Sequence, residues 1–218
     1  MNYKNQITQI TYLPEIENID LDKISNFLDD KVHSQIIECN NWPKIYSYKP
    51  ITYVKFARGE KNLFVSFSIN GNSLKAVNSC DQTPVEEDSS ISIALKNPIN
   101  SNYYLFDFNC IGTCFASKGT DPNAMELFKK EELNLIKRYS DIGKRPFYEM
   151  EGLFSWEITV SLPLSLIDVD VLNLPKDMEC NFGKIATQTS LPHFLTWNPV
   201  NSPSPTMVYP DSFGKLVF

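Results

Sequence analysis

Apolar residues recur at every second position through several separate stretches of this chain. In NLFVSFSI, residues Leu63, Val65, Phe67 and Ile69 alternate with Asn62, Phe64, Ser66 and Ser68. SISIAL sets Ile91, Ile93 and Leu95 on one side, and WEITVSL does the same with Trp156, Ile158, Val160 and Leu162. YYLFDFNC places Tyr104, Phe106, Phe108 and Cys110 on one face and Tyr103, Leu105, Asp107 and Asn109 on the other. A strand turns successive side chains to opposite faces, so each run predicts a strand with one face in a core. The second face of YYLFDFNC ends unusually polar for an apolar strand. A final short strand is expected in GKLVF.

Turn clusters separate these runs: INGNS, SCDQTPVEEDS, KNPINSN and NSPSPT. Fourteen prolines against eight glycines fit a loop-rich chain, and the regular strand–helix alternation of a parallel sheet is missing. Two segments have a helical pattern. Asp20 to Asp30 sets Leu21, Ile24, Phe27 and Leu28 on one stripe, with Asp20 or Asp22 as the cap. Asp121-Pro122 opens DPNAMELFKKEELNLIKRYS, a charged stretch expected as a helical surface excursion between strands. With 42% hydrophobic residues in 218, the chain can build a sizeable core. The expectation is mostly β: one domain over residues 1–218, an antiparallel β-sandwich of jelly-roll type with one or two short helices.

A net charge of −6, with no cluster of Lys and Arg, argues against nucleic acid as a partner. The N-terminal MNYKNQITQITYLPEIENID has no apolar run suited to a leader or a membrane span. The expectation is therefore a cytoplasmic protein without a membrane partner, unless a leader was removed. Five cysteines, Cys39, Cys80, Cys110, Cys114 and Cys180, are odd in number and read as buried free thiols. With only His33 and His193 beside them, they do not form a zinc set. No cofactor is expected, except that Glu87 and Asp88, in the acidic run from Glu86, offer oxygens of the kind calcium takes; an exposed turn is the alternative.

The ordered motifs resemble those of carbohydrate-binding family 9-like proteins of the Bacteroidetes. Asn41-Trp42 followed by YSYKPITYVKF is similar to the family's entry strand, and DQTPVEEDSSISIAL to its Asp-Ser strand. Tyr104 to Thr113 matches Tyr-x-Phe-x-Phe-Asn-Cys-x-Gly-Thr, and HFLTWNPV with YPDSFGKLVF matches the terminal Trp-Asn-Pro and Pro-x-x-Phe-Gly signatures. With RYSDIGKRPF and SWEITVSLPLSL between them, the match covers nearly the whole chain. The resemblance implies a non-catalytic β-sandwich that holds a sugar between aromatic faces and hydrogen-bonding groups. Sugar-binding members carry an aromatic before the Asp-Ser strand and a glutamate within it, where this chain has Glu86 and Ser92. Their Asp-Phe-His-Arg near the C-terminus is replaced here by Thr206, Met207, Val208 and Tyr209. An altered or weakened sugar site is expected.

Within that expectation, Trp197 is the candidate stacking platform, because it ends an apolar run beside Asn198 and a proline-rich loop; the alternative is an indole packed under the loop. Trp42 and Trp156 read as core. Asn109 either donates to a hydroxyl or bonds local backbone. Asn198 and an arginine, with Arg138 placed ahead of Arg58 and Arg145, complete the candidate set. An interaction domain without sugar is the second reading. A glycoside hydrolase with two facing carboxylates is the third.

Overall fold

The computed structural model describes residues 5–218. The chain begins with β1 (Ile7–Gln9) and β2 (Thr11–Tyr12), then passes through short 3-10 turns into helix α1 (Ile24–Asp29). It continues with β3 (Gln35–Ile36), β4 (Ile51–Arg58), β5 (Asn62–Ala76), β6 (Ser90–Lys96), β7 (Tyr103–Asn109) and β8 (Cys114–Gly119). After these come β9 (Glu126–Leu127), helix α2 (Lys130–Leu133), β10 (Lys137–Ser140) and β11 (Phe147–Pro163). β12 (Asp177–Ala186), β13 (His193–Thr196) and β14 (Gly214–Val217) complete it.

Two sheets form. The larger runs β1-β14-β12-β6-β7-β8-β9 with β13 also on β12; the smaller runs β10-β11-β5-β4-β2 with β3 also on β4. Pairing is antiparallel except at β1–β14 and β2–β4, where short N-terminal strands add in parallel. The sandwich expected from the two-residue period is present, with the faces as read. Leu63, Val65, Phe67 and Ile69 meet Ile91, Ile93, Leu95, Tyr104, Phe106 and Phe108 in one buried core. Phe56 stacks on Phe182 across it at 5.1 Å.

Both outer faces are partly covered. On the smaller sheet, Ile16, Ile24 and Leu28 cover Ala57 and Phe64. This explains why Phe64, on the nominally polar side of its strand, is buried. The larger sheet carries Ala94, Tyr103, Ile185 and Phe194 on its outer face, covered by Trp42, Val200, Met207, Val208 and Phe213.

The helical expectations are corrected in part. Ile24 and Leu28 are buried as read, but Asp20 makes no cap and pairs instead with Lys23 at 2.6 Å. The stretch opened by Asp121-Pro122 is helical only over α2. Its apolar residues Phe128, Leu133 and Ile136 are drawn into the core, and the backbone on either side pairs with sheet edges. Among the described residues no helix is long and apolar enough to cross a membrane.

Candidate functional site

The residues proposed from sequence do not form one site. Trp197 is 3% exposed. The period of β13 continues past its end, so Trp197 follows Leu195 into the inter-sheet core, edge-on to Phe182 at 5.8 Å. No open indole face remains for a pyranose, and the platform expectation is corrected. Asn198 is fully buried. Its Oδ1 accepts the Gln6 N–H at 2.8 Å, and its backbone exchanges bonds with the Asn181 amide, so it anchors chain rather than ligand. Asn109 donates to the Asn78 carbonyl and the Asp88 carboxylate and accepts the N–H groups of Ile111 and Thr113. The local-backbone alternative describes it. Arg138 makes a bidentate pair with Asp81 at 2.7 and 2.8 Å and donates to the Gly112 carbonyl. It lines a separate hollow of about 330 Å³ with Lys144 and Ser140.

Of the calcium candidates, Asp88 is committed elsewhere. Asp88 is fully buried and accepts the N–H groups of Val77 and Asn78 besides the Asn109 amide. The Glu87 carbonyl accepts from Lys75 at 3.2 Å. Among the described residues no group of three or more His, Cys, Asp or Glu side chains is placed to hold a metal ion.

A different hollow, of about 350 Å³, opens on the outer face of the larger sheet. Leu105 and Asp107 of β7, Phe115 of β8, Ile185 of β12 and Phe194 of β13 line it. The Gln82-to-Glu86 segment forms one rim and Met207 the other. Outward-facing residues on neighbouring strands produce this arrangement, since Asp107 pairs with Ser92 on one side and with Phe115 on the other.

The rim is held by specific bonds. Gln82 adopts a positive φ of 62° and its amide bonds Ala116 in both directions, and also the Phe128 carbonyl. The Glu86 carbonyl accepts from Thr187 N–H at 2.8 Å, fixing the residue at the edge of the hollow that it lines. Opposite, Met207 lies over Gly183, where a Cβ would stand only 2.6 Å from its sulfur.

Asp107 is the distinctive group. It is 5% exposed; its Oδ1 accepts from Ser92 Oγ, and among the described residues no donor reaches Oδ2. Burial pushes its carboxyl up to about 7, the negative charge of Glu86 adds to the rise, and the Ser92 bond opposes it. Glu86 is also raised, first by burial and then by Glu87 and Asp88. The arrangement can hold a compact ligand by apolar contact and accept hydrogen bonds from it. Glu86 and Met207, two of the positions expected from sequence to depart from the family pattern, line this hollow, and a third, Ser92, bonds Asp107 within its wall. Their convergence on one hollow, together with the polar outer face of β7, is the signal that sequence reasoning did not combine.

Three of the solved structures similar to this chain define its setting. One, a crystallised Bacteroides uniformis ATCC 8492 protein with a provisional carbohydrate-binding name, is 25% identical, with a TM-score of 0.91 over 99% of this chain and 100% of the other. Two structures of a family 9 carbohydrate-binding module from Caldicellulosiruptor kristjanssonii, in complex with glucose and with cellotriose, are 12% and 13% identical. Their TM-scores are 0.58 and 0.57, over 97% of this chain and 95% and 93% of theirs, a likeness of fold. No curated protein matches. The model of carbohydrate-binding family 9 matches residues 22–218, and the chain belongs to that family.

Proposed function

We propose that this chain binds a saccharide in the hollow over Asp107 and does no chemistry on it. The observation that carries the reading is the Asp107 Oδ2, the free oxygen of a nearly buried residue, which opens on the hollow without a protein donor among the described residues and is set among Phe115, Phe194 and Ile185. A sugar supplies what such a site lacks: hydroxyl donors for the oxygen and a C–H face for an aromatic wall. Family membership and the glucose and cellotriose complexes of the fold relatives support the same class of ligand. The site is altered relative to the family pattern. Phe115, half-buried on β8, takes over the stacking role from the missing aromatic at Glu86. Asp107 provides the carboxylate where the strand offers only Ser92.

Isothermal titration against a panel of soluble mono- and oligosaccharides tests this reading. Phe115→Ala and Asp107→Asn are each expected to weaken binding by about tenfold, the scale of one stacking or charged hydrogen-bonding contact. Arg138→Gln, in the other hollow, leaves it unchanged, and chromatography recovers the saccharide intact. Binding unaffected by both hollow substitutions, or no binding across the panel, overturns the proposal. Cleaved product would instead support the hydrolase reading, with Glu86 and Asp107 as its acid pair.

A further inference from the structure

The charge inside the hollow is one-sided. Among the described residues, Glu86 and Asp107 are the only ionisable groups that line it, and the rest of its wall is neutral. The nearby cations are engaged elsewhere. Lys75 donates to the carbonyls of Glu87 and Gln188 and stands 3.9 Å from Asp88. Arg138 is paired with Asp81, and Lys118 with Glu132 at 2.6 Å. Lys184 on β12 points to the opposite face, where its Nζ lies 5.6 Å from the Trp156 ring in the inter-sheet core. Cys114 of β8 also lies in that core. The strands next to Asp107 therefore present Ser92 and Phe115 to it and no positive charge.

A nearly buried carboxylate with one free oxygen is costly to keep ionised unless a cation meets it. A neutral hydroxyl gives it one ordinary hydrogen bond. An ammonium gives a charge-assisted one and at the same time relieves the repulsion between Glu86 and Asp107. The aromatic wall tolerates that cation, since a ring face attracts positive charge. The geometry points to a saccharide bearing a free, protonated amine: an amino sugar seated with its ammonium between Asp107 Oδ2 and Glu86 and its ring against Phe115. An N-acetylated sugar loses the charge and adds bulk against the rim that carries Glu86.

This inference rests on the saccharide-binding reading, and three disaccharides separate the two. Chitosan-derived glucosamine disaccharide, its N-acetylated counterpart and cellobiose share one β-1,4 frame and differ at the second carbon of each ring. Titrated calorimetrically into the full chain near pH 7, the amine form is expected to bind at least tenfold tighter than cellobiose, the difference between a charge-assisted and an ordinary hydrogen bond. Asp107→Asn and, on the half-buried rim, Glu86→Gln each weaken the amine form by much more than they weaken cellobiose, so that most of the preference is lost. Equal binding of all three, or preference for a neutral form, overturns the amine inference and leaves saccharide binding standing. A preference that survives both substitutions places the amine elsewhere and also overturns it. No binding of any of the three removes both readings.

Discussion

Gly214 and Trp197 show how two separate motif residues depend on each other. A Cβ at Gly214 would lie 2.4 Å from the Trp197 indole and 2.8 Å from the Gln6 carbonyl oxygen. The backbone cannot retreat, because Lys215 donates to that same Gln6 oxygen at 2.9 Å. Gly214→Ala is therefore expected to destabilise the fold by about 2 kcal/mol, read in thermal unfolding as a fall of roughly 4–8 °C. Trp197→Ala removes a buried indole and is expected to cost about 3–5 kcal/mol. If Gly214→Ala melts with the parent protein, the close contact between the two motifs is not a constraint. The sequence displayed both residues, yet their contact was not legible there. It depends on how the proline-rich segment folds over the sheet, and no local periodicity encodes that path.

Elements divide between those with a local pattern and those formed by distant partners. β5, β6, β7 and β11 alternate in sequence and so were legible down to the buried face, Trp156 and Phe108 included. The 126–140 segment was not. Its charges suggested a solvated helix, but Phe128, Leu133 and Ile136 outweigh helix propensity by entering the core. β9 then edges the larger sheet and β10 the smaller, so one segment closes both along the same side of the chain's order. Phe128 is its anchor, packed on Phe106 at 5.3 Å, and its carbonyl holds the Gln82 amide at the rim of the hollow. Phe128→Ala is expected to cost about 3–5 kcal/mol and to speed amide exchange at Leu127 and along Gln82–Glu86 together. Exchange that rises at Leu127 but not at the rim would show that the hollow does not lean on this edge. The same reasoning explains why the candidate site was only half legible. Glu86, Ser92 and Met207 could be named from sequence as departures, but only strand register brings Ser92 beside Asp107, and only the paths of the turn before β6 and of the loop before β14 bring Glu86 and Met207 to the same hollow.

Across the whole molecule, two buried ionisable groups on opposite faces of one sheet shape how stability varies with pH. Asp107, on the outer face, holds its proton up to about 7, through burial first and Glu86 second. Lys184, on the inner face of β12, is lowered to about 7 by burial, and its one hydrogen bond goes to the Ile185 carbonyl at 3.2 Å. His193, buried and close to that amine, is held well below its usual value, and its Nε2 has no partner. For the raised carboxyl, the folded state binds more protons than the unfolded state between about pH 4 and 7. Its contribution is thus fully present at low pH and is lost as pH rises through that window. For the lowered amine, the unfolded state binds more protons between about pH 7 and 10.5, so stability recovers across that second window. The two effects together place a minimum near neutrality. Lys184→Met fills the same space without a charge and is expected to stabilise the protein at pH 7 by on the order of 2 kcal/mol. Denaturant unfolding of parent and variant at matched pH values checks the sign. The variant's advantage should shrink steadily from pH 7 to 10, where the parent lysine sheds its proton and no longer opposes burial. A constant difference over that range would mean that Lys184 keeps its charge inside the sandwich, and the buried amine would then need an acceptor beyond the Ile185 carbonyl.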